Sequence, residues 1–362
     1  MATISLCMIV RNEAAVLARC LDSVRGIADE ILITDTGSTD ETREIAARYG
    51  EVSAFAWCDD FAAARNFSFA RAHMDYILWL DADDVLLPRD REAFLALKQQ
   101  LHGEYDVVML PYHTGFDAQG RTTFFCYRER LLKTSAHFRW MGAVHECIPP
   151  RGRIGYGTAT VTHRKPPGTY SDRNLRIYER LLADGAVLDA RGQYYYAREL
   201  LAHGKYERAV QAFERFAALP DGWTEDRIEA CVGLAQALTA LGRREQARRA
   251  LTDSFAIDVP HSTACCALAA LELAEDRVKQ AKFWYETAIR VAEVRRSGFV
   301  DVDACAYTPA LGLCVCCARM GALHDAAAWN ERAAQVHPQS EAVAYNRRYF
   351  AAQGVTGGNA FA

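Results

Sequence analysis

The chain has 362 residues, 51% of them apolar and 24% charged, a globular composition with material for two domains of ordinary size. A formal net charge of -4 gives no basic footprint, so nucleic acid is not an expected partner. No run of about 18 apolar residues occurs, and no transmembrane helix is expected.

The first half alternates strand and helix patterns. Ile4 to Val10 (ISLCMIV) is a continuous apolar run, as a strand covered on both faces requires. Ala14, Leu17, Leu21 and Val24 then recur at helical spacing. Glu30 to Thr34 reads as a second strand running into Asp35-Thr-Gly-Ser-Thr-Asp-Glu-Thr. There Ser38 and Glu41 have capping-box spacing, opening a helix that ends at Gly50. Glu51 to Trp57 reads as a strand, Asp60 to Met74 as a helix, Asp75 to Leu80 as a strand and Pro88 to Leu101 as a helix. Such alternation predicts a parallel sheet with helices on both faces. From Tyr105 to His163 the segments DVVMLPYH and TTFFCYRERLL predict strands joined by turns, hence a mixed sheet. Basic residues gather mildly at Arg128 to Lys133 and Arg151 to Lys165; such runs read as solvated faces, or as functional ones if a phosphate site lies beside them.

Beyond Pro166-Pro167-Gly168 no strand pattern is evident, and helices come in pairs. Gly204 and Ala209 stand five apart, and the offset recurs as Gly242/Ala247, Asp276/Ala281 and Gly321/Ala326. The Ala-to-Ala steps are 38, 34 and 45 residues, the middle one equal to the tetratricopeptide period. Loops around Pro220 to Gly222 and Ser297 to Asp303 absorb the longer steps. Tyr206, Phe213, Phe216, Trp284, Tyr285 and Trp329 are expected to fill between repeats, and the array reads as a solenoid.

The N-terminus runs into Arg11-Asn12-Glu13 without a signal-peptide pattern, so a cytoplasmic location is expected. Twelve cysteines are present, but Cys265-Cys266 and Cys314-x-Cys316-Cys317 lie in apolar helical patterns. They read as buried thiols, since paired CxxC spacing for zinc is missing.

The chemistry concentrates at strand ends. Leu80-Asp81-Ala82-Asp83-Asp84 places three carboxylates after an apolar strand, where open sheets bind ligands. Alternating acids there can hold Mg²⁺ or Mn²⁺ with substrate phosphates completing the shell. An acidic turn can also be a solvated loop or a helix cap. Asp35 and Arg11-Asn12-Glu13 end neighbouring strands on the same edge, so polar groups converge on one crevice suited to a nucleotide.

SLCMIVRNEA, EILITDTGSTDET, the ARN of FAAARNFSFA and LDADD, in this order, resemble the motifs of family 2 glycosyltransferases of the GT-A fold. The resemblance covers residues from about 4 to 165. FRWMGAVHECI, with the strand ending at His163, is similar to a subgroup related to bacterial lipopolysaccharide core glucosyltransferases. A GT-A domain followed by a tetratricopeptide-like tail resembles the layout of peptide S-glycosyltransferases of glycosylated bacteriocin pathways. The implied organisation is a Rossmann-like α/β domain with a mixed sheet over 1–165, an all-α tetratricopeptide-like domain over 166–350 and a flexible tail over 351–362.

The resemblance implies that Val10, Arg11, Asn12, Glu13, Asp35, Arg65, Asn66, Asp81 and Ala82 bind a nucleoside-diphosphate sugar. Asp35 contacts uracil or ribose, Asp81 the ribose, and Asp83 the metal, while His163, ending a strand before the domain boundary, is a further ligand to the metal or the diphosphate. Many relatives have two acids where this chain has Asp35-Thr36. Arg65 either reaches the diphosphate or is a surface helix charge. The implied reaction is a single displacement with inversion, in which a carboxylate takes the acceptor's proton. Between Lys98 and His163 the acids are Glu104, Asp106, Asp117, Glu129 and Glu146; Glu146, after an irregular segment, is chosen as the base, Glu129 and Asp117 being next. The expected acceptor is a peptide or protein, through a Cys or Ser side chain, docked on the helical repeats; a homodimer stays open. A lipopolysaccharide-core or other glycan acceptor, or a repeat scaffold with a degenerate transferase domain, remain the alternatives.

Overall fold

The computed structural model describes residues 2–165, 171–292 and 298–355. The chain divides into two compact units, Met1–Ala186 and Val187–Ala362.

In the first unit the strands are β1 (Ile4–Val10), β2 (Glu30–Asp35), β3 (Glu51–Ala54), β4 (Tyr76–Trp79), β5 (Asp84–Leu86), β6 (Val107–Phe116), β7 (Thr122–Lys133), β8 (Ile154–Tyr156) and β9 (Val161–His163). The helices are α1 (Leu17–Ser23), α2 (Thr42–Ala46), α3 (Phe61–Phe69), α4 (Pro88–Gln100) and α5 (Arg173–Ala183). The strand order is β3-β2-β1-β4-β7-β6-β9-β5, with β8 also pairing β6. The first four are mutually parallel, and β7 runs antiparallel to both β4 and β6. This is the expected Rossmann-like mixed sheet.

Side chains of one strand alternate between two cores, which explains the unbroken apolar runs. In β4 and the residue after it, Tyr76, Leu78 and Leu80 enter one core while Ile77 and Trp79 enter the other. Leu131 and Leu132 of β7 divide in the same way.

The sheet is forced to curl. Strands β4 and β5 are fourth and eighth in the order, about 19 Å apart in a flat sheet at ~4.8 Å per strand. Yet only Leu80 to Asp83 join them, and the Asp84 N–H bonds the Asp81 carbonyl at 3.0 Å, closing a turn. A turn end-to-end below about 7 Å plus two extended residues reaches about 14 Å. The far edge therefore folds back toward β4 and brings β9 beside the acidic turn.

Several local expectations are corrected. The Ser38/Glu41 capping box does not form: the Ser38 hydroxyl accepts from Asn12 N–H, Asp40 accepts from Thr42 N–H, and α2 is a short helix. The expected strand to Trp57 stops at Ala54, and the helix expected to Met74 stops at Phe69. The basic run from Arg128 is not a solvated face, because Arg130 is fully buried.

The second unit is built from α6 (Ala190–Ala202), α7 (Tyr206–Ala217), α8 (Thr224–Ala240), α9 (Arg244–Asp253), α10 (Ser262–Ala274), α11 (Val278–Arg290), β10 (Phe299–Asp301), α12 (Val302–Cys305), α13 (Tyr307–Arg319), α14 (Leu323–Val336) and α15 (Glu341–Ala352). Helices pair as α6/α7, α8/α9, α10/α11 and α13/α14. Each pair turns in the same way. Gly204, Gly242, Asp276 and Gly321 have φ of 68, 75, 60 and 81°. The next N–H returns to a carbonyl five residues earlier, as Lys205 to Leu200, Arg243 to Leu238, Arg277 to Glu272 and Ala322 to Cys317. The left-handed residue ends one helix so that the next can turn back on it. Five residues on, Ala209, Ala247, Ala281 and Ala326 are fully buried where the helices meet. The repeat read from the glycine-to-alanine offset is thus a repeat in space.

Phe213, Phe216 and Tyr285 fill between helices as expected, whereas Tyr206 is exposed. The loop expected around Ser297 to Asp303 contains β10 and the start of α12 from Phe299 onward, while Ser297 lies outside the described residues. Of the tail expected over 351–362, Ala351 and Ala352 close α15 and residues from 356 lie outside the described residues. Among the described residues no helix is long and apolar enough to cross a membrane.

The repeat unit can be tested at two aspartates. Asp276 holds a conformation that costs an L-residue more than glycine, and its pair with Arg319 is exposed. Asp276→Gly is expected to stabilise the chain by about 0.5–1 kcal/mol in urea unfolding; a loss of stability would mean the Arg319 pair outweighs the strain. Asp226, in the first turn of α8, is 4% exposed. Burial raises its carboxyl from 3.8 to about 6, against the partial opposition of Arg191 and Arg198. A raised carboxyl means stability falls as pH rises from about 4 to about 6 and stays reduced above. Asp226→Asn is expected to be more stable than wild type at pH 7.5, by on the order of 1–3 kcal/mol, and to lose that advantage below pH 4. A variant no more stable than wild type at pH 7.5 would show the carboxylate to be adequately solvated.

Candidate active site

Parallel registers bring the strand ends together. Val10 pairs with Asp35, and Cys7 pairs with Trp79, the last residue of β4. Val10 and Asp35 thus lie side by side on the sheet edge, and the turn after Leu80 follows the end of β4 on the same edge. The chain reverses its winding between β1 and β4, where a crevice opens in such sheets.

The acidic turn is held from below. Asp84 is fully buried, and its Oδ2 accepts from Asp81 N–H at 3.0 Å and lies 3.0 Å from Arg130 Nη1. Arg130 also donates to the Trp79 carbonyl at 3.0 Å. Its guanidinium lies between the Trp79 and Tyr112 rings, 3.8 and 4.2 Å from their centroids. Its Nε and Nη2 have no hydrogen-bond partner among the described residues. Antiparallel pairing of β5 with β9 sets His163 opposite Asp84. His163 Nδ1 lies 3.3 Å from Asp83 Oδ1, 3.2 Å from Asp84 Oδ1 and 3.0 Å from the Tyr112 hydroxyl. Burial alone would lower the His163 pKa, but the bonds and charges of Asp83 and Asp84 raise it to about 10.

A second arginine ties the turn to the segment after β7. Asp60 caps α3 by accepting from Ala63 N–H at 2.9 Å. One turn on, Arg65 is buried with Nη2 2.7 Å from Asp81 Oδ1 and Nε 2.7 Å from Glu146 Oε1. The Trp79 and Trp140 rings flank it, with centroids at 5.2 and 4.7 Å. Burial would raise the Asp81 carboxyl, yet the Arg65 and Arg130 charges hold it down at about 2. Asn66 exchanges two hydrogen bonds with the Trp140 backbone, Phe61 N–H donates to the Ala143 carbonyl at 2.9 Å, and the Tyr178 hydroxyl donates to the Val144 carbonyl. Gly142 and His145, with φ of 90 and 51°, shape the bends of this segment. Helix α3 therefore fixes Glu146 through backbone and side chain together.

At the β1 and β2 ends the polar groups mainly organise the loops. Asp35 is buried and accepts from Gly37 and Ser38 N–H, each at 3.2 Å. The Val10 carbonyl accepts from Thr36 N–H at 2.9 Å. Asn12 adopts φ 56° and accepts from Thr39 N–H at 2.8 Å. The Arg11 side chain is exposed and Ala82 is buried. Glu13 is half-buried; burial, then the charges of Asp83, Asp81 and Asp40, raise its carboxyl to about 7.

Arg65 thus joins Asp81 to Glu146, His163 joins Asp83 to Asp84, Asp84 links the two groups by accepting from the Asp81 N–H, and Glu13 feels the turn's charge. Asp35 shares the sheet edge. Arg65 is no surface charge, since two carboxylates occupy its guanidinium, and Asn66 spends its amide on Trp140. Glu129 is buried and pairs with Arg128, while Asp117 closes the β6–β7 turn by accepting from Gln119 and Arg121 N–H. The sequence counts Asp84 among the three carboxylates of the turn without a role of its own, and it does not single out Arg130, Tyr112 or the two tryptophans. One signal was available: an arginine within an apolar strand, TTFFCYRERLL, has to find a buried carboxylate.

Asp83, Asp84 and His163 are the described residues whose donor atoms could surround one metal ion, and no cysteine joins such a group among them. The donor set fits a hard divalent cation. Separations of 3.2 to 3.3 Å from His163 to the two carboxylates approach the ~3.0 Å of adjacent ligands about 2.1 Å from one ion. Asp84 Oδ2 is taken by Arg130 and the Asp81 N–H, while its Oδ1 faces His163, so Asp83 and His163, with Asp84 Oδ1 beside them, are the residues that would hold it.

Removing Arg65 leaves two carboxylates without their shared cation. Arg65→Met is expected to cost about 3–5 kcal/mol in urea unfolding at pH 7. A loss below ~1 kcal/mol would mean the two carboxylates find other counter-charges.

Residues 5–151 match the model of glycosyl transferase family 2. A TPR repeat-containing protein of Synechococcus elongatus is 50% identical over 149 residues, covering 41% of this chain and 36% of that protein. Glycosyltransferase SunS of Bacillus phage SPbeta is 27% identical over 148 residues, covering 40% of this chain and 34% of that protein. The chain thus spans little more than a third of the length of these two relatives. Among solved structures, a thermophilic TPR protein of Thermus thermophilus aligns with a TM-score of 0.38 at 18% identity, over 51% of this chain and 91% of that one. The N-terminal part of the chain is therefore a family 2 glycosyltransferase domain, and it is followed by tetratricopeptide-like helical hairpins.

Proposed function

We propose that the chain is a metal-dependent, inverting glycosyltransferase that moves a sugar from a nucleoside-diphosphate sugar, a UDP-sugar, to a peptide or protein acceptor in the cytoplasm. The observation that carries this reading is the pair Asp83 and His163, 3.3 Å apart at the carboxyl end of β4, on the sheet edge that also bears Asp35. Asp83 and His163 would hold Mg²⁺ or Mn²⁺. The cation, when bound, offsets the negative charge that develops on the leaving diphosphate.

The chain's own residues do the rest. Asp35 and Asp81 receive base and ribose, Asp81 with one oxygen already fixed by Arg65. The acceptor's oxygen or sulfur attacks the anomeric carbon from the face opposite the diphosphate, the bond to the diphosphate breaks, and Glu146 takes the acceptor's proton. Arg65 keeps Glu146 and Asp81 in one frame, so acceptor and donor are positioned from the same side chain. A Cys acceptor leans on the base less than a Ser does, because a thiol is already partly ionised near neutral pH. The helical hairpins offer the surface on which a peptide acceptor docks.

The reading is tested with the whole chain, Mn²⁺ and a panel of nucleotide sugars, following donor hydrolysis and transfer to matched Ser and Cys peptides. Turnover is expected with a UDP-sugar, with loss in excess EDTA and in Asp83→Ala. Glu146→Gln is expected to slow transfer to Ser by roughly 10²–10⁴-fold and transfer to Cys by less. Full activity in EDTA would remove the metal from the reading. Wild-type rates for Glu146→Gln on both acceptors would remove Glu146 as base.

A further inference from the structure

An asparagine amide carries a carbonyl oxygen and an NH₂ group, so it can stand in for a neighbouring peptide and bond a backbone N–H and C=O together. Asn66 does this for Trp140: its Oδ1 accepts from the Trp140 N–H at 2.9 Å, and its Nδ2 donates to the Trp140 carbonyl at 3.0 Å. The next residue, Met141, exchanges both backbone bonds with Cys147, at 2.9 and 3.0 Å. That bridge closes a loop over residues 141–147, and Glu146 is the last residue before it closes. The entry to the loop is therefore held by a side chain of α3 and not by a strand. Two other groups of α3 also hold the loop. Phe61 N–H donates to the Ala143 carbonyl, and Arg65 Nε reaches the Glu146 carboxylate at 2.7 Å. Each of these is a single bond, about which the loop can pivot. The paired bonds of Asn66 fix the orientation of the backbone at Trp140 as well as its place. The Trp140 ring is buried against Trp79 and Phe69, with centroids at 4.8 and 5.8 Å, so it anchors the side chain and leaves the direction of the backbone to Asn66.

We propose that Asn66 is a positioning residue for the general base: it acts on transfer through Glu146 and not through the sugar donor. This rests on the reading of Glu146 as the base. Both polar atoms of the amide are engaged with the Trp140 backbone, so the residue reaches the reaction by way of the loop. Without the amide the loop can swing about the Phe61 and Arg65 bonds, and Glu146 leaves its line to the acceptor. A shift of about 1 Å in a reacting group is enough to slow a reaction on the order of 10²-fold.

Asn66→Ala and Asn66→Ser, neither able to bond both Trp140 groups, are made in the wild-type chain and in Glu146→Gln. Transfer to the Ser peptide is followed with Mn²⁺ and the UDP-sugar that the chain turns over, and UDP binding is measured by calorimetry. In the wild-type chain, kcat is expected to fall roughly 10–100-fold, with the Kd for UDP within about twofold. In the Glu146→Gln chain the same substitution is expected to slow transfer less than about threefold, since a base already lost cannot be misplaced. A purely structural role would not cancel in this way. The full loss persisting in Glu146→Gln, weakened UDP binding, wild-type turnover in Asn66→Ala, or failure of both variants to fold would each overturn the inference alone. Wild-type turnover in Glu146→Gln, or no turnover by the wild-type chain, would overturn both the inference and the reading of Glu146.

Discussion

Carboxylates crowded at the end of an apolar strand repel one another, and burying them multiplies that repulsion as the local dielectric falls. The turn from Asp81 to Asp84 is held because two guanidiniums are buried beside it. Arg130 neutralises Asp84 from below, and Arg65 neutralises Asp81 from the side. Trp79 lies against both cations, so its ring excludes water from the ion pairs while its face favours positive charge. Taking charge out of water is costly, and such pairs add little to net stability. What they add is position: Asp83 is set with His163 beside it, and Glu146 is drawn in by the second arm of Arg65.

A different constraint governs the helical unit. Each hairpin needs one residue in the left-handed region to end a helix and reverse the chain, and a small residue five positions later so that the second helix can lie close. Three of the four turns use glycine and one uses Asp276. The cysteines belong to this packing. Cys265, Cys266, Cys314, Cys316 and Cys317 are buried in it, and burial pushes the Cys265 and Cys316 thiols up to about 11. They behave as small apolar groups.

The parts of the structure legible in the sequence are those set by local pattern. Apolar runs marked β1, β2 and β4, and the glycine-to-alanine offset marked the hairpins, because neither depends on a distant partner. Asp81 and Asp83 were legible as a pair at a strand end, and His163 through resemblance. Asp84 was not, since its role arises only when the sheet closes and β9 arrives beside it. Three-residue strands such as β5 and β10 carry too few side chains to show a period. The Ser38/Glu41 spacing misled because Asn12, from a different strand end, supplies the N–H that the Ser38 hydroxyl accepts. Arg65 and Arg130 were the hardest: an arginine in a helix or strand pattern looks solvated until the carboxylates facing it are known.

The connection from β4 to β5 also bears on how this domain can vary. Surface loops are ordinarily the freest part of an α/β fold, and extra residues in them cost little chain entropy. Here Leu80 to Asp83 is a short span, linking two strands that stand fourth and eighth in the sheet and come within its reach only because the sheet curls. One inserted residue would shift the pleat of β5, turn Asp84 away from Arg130 and slide it out of line with His163. Length, not merely composition, is therefore fixed at this point of the chain. Divergence in size has a safer outlet in the exposed turn around Gly120, far along the β6–β7 hairpin, where the Asp117 carboxylate closes the reversal by accepting from the Arg121 N–H.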